Sequence, residues 1–175
     1  KLINYLTKNK IKYYVNFIFT NMEIFKFFKK KLSNKFICEV NYKWNFKQGY
    51  FVNHKKTWKI NKKEGGGLIN FYTIHIFYNL LFFFKNIKIE KIKKLNKKNI
   101  LTRCLIFGTI EKNVRLLIDV DCNSNKSEHT LEVKTKKNTY KISNDQKNWI
   151  KGFKIFINKK KMKKKFIKND RKKLT

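Results

Sequence analysis

The chain has 175 residues, and 44 Lys and Arg against 11 Asp and Glu give it a formal net charge of +33. A free compact protein with this charge would repel itself, which excludes a neutral stand-alone domain and predicts a polyanionic partner. Phosphate backbone is the densest partner of that kind. Alanine and proline are absent, and arginine occurs only at Arg103, Arg115 and Arg171. This codon-biased composition indicates an AT-rich genome, and it predicts a mitochondrial protein of the matrix or, alternatively, one of the apicoplast or another AT-rich organelle.

The first elements in chain order are a basic, aromatic arm and a helix. Residues 1–20 predict the arm, with an extended stretch around residues 12–19. Thr20 and Glu23 have the spacing of a capping box, which predicts a helix over residues 22–32. Alternation over residues 36–44 then predicts a half-buried strand, with Val40, Tyr42 and Trp44 on its apolar face.

The middle of the chain combines turns with its most apolar stretch. Short strands are predicted at residues 50–52 and 57–60, with a turn at residues 53–55. Gly65, Gly66 and Gly67 indicate a backbone requirement, because codon bias otherwise suppresses glycine. Residues 68–84 predict a buried helix, and a membrane-spanning helix is the alternative that their length allows. Residues 85–98 are rich in lysine and predict a surface connector or a short helix.

The second half predicts four strands and a closing helix. Strands are expected at residues 100–107 and 114–120, and residues 121–128 form a polar loop. A hairpin is expected from residues 129–134 and 139–142, with its turn at residues 136–138. Ser143 and Gln146 have a second capping-box spacing, which predicts a helix through residue 157. Its apolar stripe comprises Trp149, Ile150, Phe153, Phe156 and Ile157.

These elements predict an α+β fold of two lobes, with small antiparallel sheets each packed by helices, and with basic terminal extensions. The segments are an N-terminal arm at residues 1–20 and a first lobe at residues 21–98. A second lobe follows at residues 99–158, and a Lys-rich extension at residues 159–175.

Side chains that could carry chemistry are few. Cys38, Cys104 and Cys122 lack the spacing of a zinc site, so neither a metal nor another cofactor is expected. Asp119 and Asp121 share one face of a strand, and they allow a two-carboxylate metal site or ordinary ion pairs at a strand end. Cys122 and His129 allow a thiol–imidazole pair. His54 is expected in a surface turn, and His75 in the core.

The expected binding surface consists mainly of lysines. A block of like charges is disordered when it is free, so a polyanion is expected to neutralise these lysines. No catalytic residue is expected. The expected RNA-binding residues are Lys137, Lys141, Lys147, Lys151, Lys159, Lys160, Lys161, Lys163, Lys164, Lys165, Lys168, Arg171, Lys172 and Lys173.

Three short stretches of the second half resemble the C-terminal lobe of ribosomal large-subunit protein six. They are the residues around Gly108, the strand at residues 116–118, and Ser127 with His129. A fourth, at residues 140–147, corresponds to the family's helix-opening motif, although Asp145 and Gln146 depart from its order. The resemblance implies a two-lobed protein on large-subunit rRNA near the sarcin–ricin loop.

The leading hypothesis from the sequence is a non-catalytic constituent of an organellar ribosome. Its partners would be rRNA and neighbouring ribosomal proteins, without membrane insertion or a small-molecule substrate. The alternatives are a fragment of an intron-encoded nuclease or maturase, which would use Asp119 and Asp121, and a membrane-associated organellar subunit using residues 68–84.

Overall fold

A computed structural model describes residues 8–9, 18–49, 57–97, 99–111, 113–146, 148 and 151–163. Helices occupy the first half, and they are α1 (Ile18–Asn21), α2 (Glu23–Leu32), a π-helical segment (Leu68–Thr73) and α3 (Ile74–Phe83). Two 3-10 turns, Trp58–Ile60 and Lys62–Glu64, precede the π-helical segment. The strands are β1 (Ile37–Lys47), β2 (Ile87–Lys97), β3 (Ile100–Ile110), β4 (Val114–Asp121), β5 (Asn123–Thr135), β6 (Thr139–Asn144), β7 (Lys154–Ile157) and β8 (Lys160–Lys161).

All eight strands form one sheet, in the order β2-β3-β4-β1-β5-β6-β7-β8. The first strand in sequence lies in the middle, where it pairs in parallel with β4 and antiparallel with β5. Every other pairing in the described sheet is antiparallel. Tyr42, for example, lies opposite Ile118 on β4 and Leu131 on β5. The sheet therefore depends on contacts between residues far apart in sequence.

The two faces of the sheet differ in what covers them. One face, called the inner face, presents Val40, Tyr42 and Trp44 from β1 and joins a single hydrophobic core with the helices. The alternate residues point to the other side, called the open face, which presents Glu39, Asn41, Lys43 and Asn45 of β1. The described helices add their buried side chains to the inner-face core.

Helix α2 illustrates why the helices lie on the inner face. Its apolar residues recur at helical spacing, so Ile24, Phe25, Phe28 and Leu32 are buried while the lysines between them face solvent. Burying such a stripe on the apolar face of a sheet stabilises both elements, since neither apolar surface is stable in water by itself.

The α+β class is confirmed, whereas the expected pair of small sheets is not. The sheet is continuous across the lobe boundary expected at residue 98, because β1 from the first half pairs with β4 and β5 from the second. The expected bounds of the terminal arm and of the basic extension stay predictions.

Three expected elements are wrong. Residues 85–98, expected as a connector or helix, contain strand β2, which lies at the sheet edge with its side chains largely exposed. The loop expected at residues 121–128 is mostly the start of β5. The helix expected to end at residue 157 is also wrong, because Phe156 and Ile157 belong to strand β7 and Ser143 to β6.

The predictions for the first helix and for the short strands in the middle of the chain are only partly confirmed. The helix at residues 22–32 is confirmed, but its N-cap is Met22, which makes no side-chain cap hydrogen bond, so the capping box is wrong. The strand expected at residues 57–60 is a 3-10 turn. The strand expected at residues 50–52 and the turn after it lie outside the described residues. Within the described part of the chain, no helix has both the length and the apolarity needed to cross a membrane.

Candidate functional site

The triple glycine forms a tight turn that starts the helical layer beside the inner face. Gly65 and Gly67 have φ values of 83° and 93°, which side chains disfavour. A Cβ on Gly66 would lie 2.1 Å from the carbonyl oxygen of Trp58. Gly67 donates its N–H to the Lys59 carbonyl at 2.7 Å. The backbone requirement expected from the sequence is therefore confirmed, and the turn fixes where the following helix begins.

A buried polar network lies where α3 meets the sheet. The Asn79 side chain on α3 donates its Nδ2–H to the Tyr42 hydroxyl oxygen at 2.9 Å. The same hydroxyl lies 2.7 Å from Nε2 of His129 on β5. All three residues are buried. One helix residue is thus joined through a β1 hydroxyl to a neighbouring strand.

Burial determines the protonation of this network. Desolvation lowers the pKa of His129 to about 3 and raises the pKa of Tyr42, so both side chains are neutral near pH 7. We assign the Tyr42 hydroxyl as donor to Nε2, which leaves the hydrogen of the ring on Nδ1. Among the described residues, His129 Nδ1 and Asn79 Oδ1 have no hydrogen-bond partner. Two buried polar atoms therefore keep unused hydrogen-bonding capacity.

Trp44 connects the network to a second histidine. The His129 ring stacks on Trp44 with centroids 4.6 Å apart and an interplanar angle of 9°. The His75 ring approaches the same indole edge-on, at 6.4 Å and 77°. His75 is half-buried on α3, one turn before Asn79, and desolvation lowers its pKa. Its imidazole is therefore neutral near pH 7 and lies closer to solvent than His129.

The pairs proposed from the sequence are not brought together as sites. Arg103 binds Asp119 through two hydrogen bonds of 2.9 Å, and Asp121 accepts a hydrogen bond from the Asn123 backbone. In the described part of the chain, no three His, Cys, Asp or Glu side chains could hold a metal ion. Cys122 donates to the Thr102 carbonyl while His129 lies against Tyr42, so they form no catalytic pair. His54 lies outside the described residues.

The lysines expected to bind RNA are dispersed rather than clustered. Lys137 lies in the β5–β6 turn, and Lys141 lies on the open face of β6. The exposed ones are Lys137, Lys151, Lys159, Lys160, Lys161 and Lys163. Lys147, Lys164, Lys165, Lys168, Arg171, Lys172 and Lys173 lie outside the described residues.

The sequence reasoning missed Tyr42 and Asn79 as functional candidates. Tyr42 was assigned to the apolar face of a strand, where it does lie, but alternation gives no sign of a bonded hydroxyl. The available signal for Asn79 was a polar residue within the most apolar stretch of the chain, which indicates a buried partner.

No family model and no curated protein matches this chain. Solved structures do match its fold. D-galactose-1-dehydrogenase from Rhizobium etli has a TM-score of 0.72 at 12% identity, over 93% of this chain and 51% of that one. The WlbA dehydrogenase from Bordetella pertussis, in complex with NADH and UDP-GlcNAcA, has a TM-score of 0.70 at 12% identity, over 87% and 50%. A super-repressor mutant of Gal80p from Saccharomyces cerevisiae has 0.73 at 12% identity, over 96% and 50%.

These matches show a shared fold, and this chain spans about half the length of the solved structures it matches. Two of these neighbours are named as dehydrogenases, and the third is a super-repressor mutant. The resemblance to ribosomal protein six is therefore wrong. The expectations of a non-enzymatic ribosomal constituent with rRNA partners and no small-molecule substrate are likewise contradicted, as is the nuclease or maturase alternative. The high net charge led to the wrong prediction of an rRNA partner, because an AT-rich codon bias enriches lysine whatever the function of the protein.

Proposed function

We propose that this chain forms the substrate-side half of an oxidoreductase that acts on a sugar. The observation that carries the proposal is the fold match, which extends over 93% of this chain and 51% of a galactose dehydrogenase. Two further matched structures have sugar chemistry in their names, WlbA with bound UDP-GlcNAcA and an aldose-aldose oxidoreductase from Caulobacter crescentus. A sugar is therefore the substrate class to test first.

A nicotinamide dinucleotide does not fit the described residues. Domains that hold it use a doubly wound parallel sheet, with a Gly-x-Gly-x-x-Gly turn around the diphosphate. Here β1 and β4 are the one parallel pair of the described sheet. The six glycines of the chain do not have the required spacing. We therefore assign dinucleotide binding to a different half of the active protein.

The helix side of the sheet offers the groups that a sugar site needs. Trp58 is 49% exposed and packs edge-on against Phe71 at 5.2 Å, next to the glycine turn. An exposed indole can pack against the apolar face of a sugar ring, and nearby polar groups fix orientation. His75, neutral because burial lowers its pKa, can accept a proton from a sugar hydroxyl as a general base.

Titration of the purified chain with D-galactose and with UDP-GlcNAcA, followed by tryptophan fluorescence, tests the proposal. We expect a saturable change with at least one of them and none with NADH. His75→Asn should weaken the binding, whereas Leu81→Asn, on the exposed flank of the same helix, should not. Absence of saturable sugar binding would contradict the proposal, and NADH binding by this chain would contradict the assignment of the cofactor to another half.

An organellar location and anion binding by the exposed lysines also remain proposals. They rest on the codon-biased composition and on the net charge of +33, respectively. Import of a tagged chain into isolated mitochondria would test the first.

A further inference from the structure

Strand β2 ends the sheet on one side, and no strand of the described residues lies beyond it. It is 11 residues long, and every residue except the half-buried Ile87 is exposed. Because β2 pairs only with β3, about half of its backbone N–H and C=O groups point away from the sheet. These groups form a hydrogen-bonding edge of the same kind that joins the other strands, and this edge is unused.

The two sides of β2 differ in chemical character. Ile92 lies opposite Ile106 of β3, whose side chain is buried in the core, so Ile92 points to the inner side. Ile89 lies opposite Gly108, two residues further along the same side of β3. The residues opposite the alternate positions of β3 point to the open side, and they include Lys88, Lys91 and Lys93. The strand is therefore apolar on one side and cationic on the other.

The apolar side chains of β2 are incompletely covered. In the described part of the chain, eight large apolar side chains are exposed, and three of them lie on this one strand. They are Ile89, Ile92 and Leu95, with exposed fractions of 44%, 40% and 48%. The helices that cover the inner face elsewhere thus leave this edge open. An apolar strip beside an unpaired backbone edge is a surface that a further strand would bury.

The lysines of β2 have no acidic partners. They are Lys88, Lys91, Lys93, Lys94 and Lys97, and none of them forms a salt bridge with a described residue. Five lysines against one glutamate, Glu90, give the strand a net charge of +4. Lysines on other elements do bind carboxylates, as Lys134 of β5 binds Glu39 at 3.0 Å. The cations of β2 therefore remain available to carboxylates of another molecule.

We propose that β2 is the docking edge for an extended segment of a partner protein in which acidic and apolar residues alternate. The segment adds a strand to the sheet, and its backbone supplies the hydrogen bonds that the outer edge of β2 lacks. Its apolar side chains cover Ile89 and Ile92 on the inner side. Its carboxylates lie beside Lys88, Lys91 and Lys93 on the open side. The alternation follows from the pleat, because successive residues of a strand point to opposite faces.

Other occupants fit this edge less well. A second copy of the chain would bring the lysines of two β2 strands together, and lysines on an edge strand oppose such pairing. A flat anionic membrane contacts only one side of the strand, and lipid leaves the backbone groups without partners. An acidic and apolar strand pairs with the backbone, the isoleucines and the lysines at once. This inference goes beyond the proposed oxidoreductase and holds whether or not the chain acts on a sugar.

Fluorescence anisotropy with a labelled peptide tests the proposal. The probe has about nine residues, within the usual length of a strand, and consists of alternating glutamate and valine with both ends blocked. Titration with the full chain at about 0.15 M salt should give saturable binding. The same peptide with N-methyl groups on its backbone amides keeps its charge but cannot pair as a strand, so it should bind about tenfold more weakly or worse.

Two pairs of variants locate the binding edge. Lys91→Glu on β2 should weaken binding of the unmodified peptide about fivefold or more, because it places a carboxylate beside carboxylates. Lys63→Glu makes the same change of net charge in the exposed turn before the glycines and should have little effect. Ile92→Thr should weaken binding through the apolar side, whereas Ile74→Thr, at an exposed position of α3, should not. Far-UV circular dichroism checks that each variant is folded.

Three results would overturn the proposal. The first is the absence of saturable binding by the unmodified peptide, or equal binding by the N-methylated one, which would show charge attraction without strand pairing. The second is equal weakening by the β2 variants and their controls, which would place the peptide elsewhere on the chain. The third is binding to vesicles that contain phosphatidylserine without binding to the peptide, which would make β2 a membrane contact instead.

Discussion

The Tyr42 hydroxyl lies 2.7 Å from His129 Nε2, although the two residues are 87 positions apart in sequence. Their strands, β1 and β5, are hydrogen-bonded neighbours, and Tyr42 lies opposite Leu131, two residues from His129. Asn79 on α3 donates to the same hydroxyl. This contact is therefore the point where the helix layer is joined to the centre of the sheet by polar groups as well as by apolar packing.

Tyr42→Phe should lower the free energy of unfolding by about 2–4 kcal/mol, because it leaves the Asn79 amide and His129 Nε2 buried without their shared partner. Urea denaturation followed by circular dichroism measures the change. Tyr140→Phe, on the inner face of β6 and outside this network, is the matched control and should cost less. Equal losses from the two substitutions would show that the Tyr42 hydrogen bonds contribute nothing specific.

Stability should fall with acidification before the carboxylates titrate. Burial lowers the pKa of His129 to about 3, whereas an unfolded histidine has a pKa of about 6.5. Between these values the unfolded chain binds a proton that the folded chain does not, so stability is present above about pH 6.5 and is lost as pH falls. The expected slope is about 1.4 kcal/mol per pH unit.

The diagnostic range is pH 6.5 to 4.5. Below it, Glu39 contributes in the same direction, since hydrogen bonds from Asn41, Lys134 and Arg115 hold its pKa at about 2 and its stabilisation is lost only at lower pH. His75, whose pKa burial also lowers, contributes in the same direction as pH falls below about 6.5. Urea midpoints measured at several pH values for wild type and for His75→Asn separate the two histidines. A flat profile in both proteins over this range would show that His129 is not buried as a neutral ring.

Gly66→Ala should destabilise the chain by roughly 2 kcal/mol or more through backbone strain and displacement. The added Cβ would lie 2.1 Å from the Trp58 carbonyl oxygen, and backbone cannot move away as a flexible side chain can. Gly49→Ala is the control, because a Cβ at Gly49 meets nothing within 4 Å. Thermal unfolding of the two variants should separate them clearly, and similar midpoints would contradict the close approach at Gly66.

Local pattern identified those elements whose side chains alternate between core and solvent. Val40, Tyr42 and Trp44 were placed on the correct face, and the β5–β6 hairpin was predicted from its turn at residues 136–138. Strand β2 was missed because an exposed edge strand has no buried face, and its lysines alternate with isoleucines in a pattern that also fits a surface helix. Its strand pairing is decided by β3, which is a tertiary contact.

The site was less predictable than the fold for a related reason. Asn79, Tyr42 and His129 come from three separate elements, and only the parallel pairing of β1 with β4 places β1 in the middle of the sheet. Phe156 and Ile157 fitted the apolar stripe of a helix, yet residues 154–157 pair with β6 as a strand. Short apolar runs do not distinguish a helix from a buried strand without this context.

The three cysteines should differ sharply in reactivity. Cys38 is exposed on β1, whereas Cys104 and Cys122 are buried. Burial raises the pKa of Cys104, and raises the pKa of Cys122 to about 12. Since the thiolate is the reactive form, the buried pair should be inert in the folded chain. A thiol-reactive disulfide reagent at neutral pH should label one cysteine per folded chain rapidly and all three after denaturation.

Cys38→Ser is the deciding variant, because it should remove the rapid labelling while leaving two thiols that react only in denaturant. The inertness of Cys122, which lies between β4 and β5, has a structural cause, since its Sγ donates to the Thr102 carbonyl of β3 at 3.2 Å. Rapid labelling of folded Cys38→Ser would mean that Cys104 or Cys122 becomes accessible without unfolding.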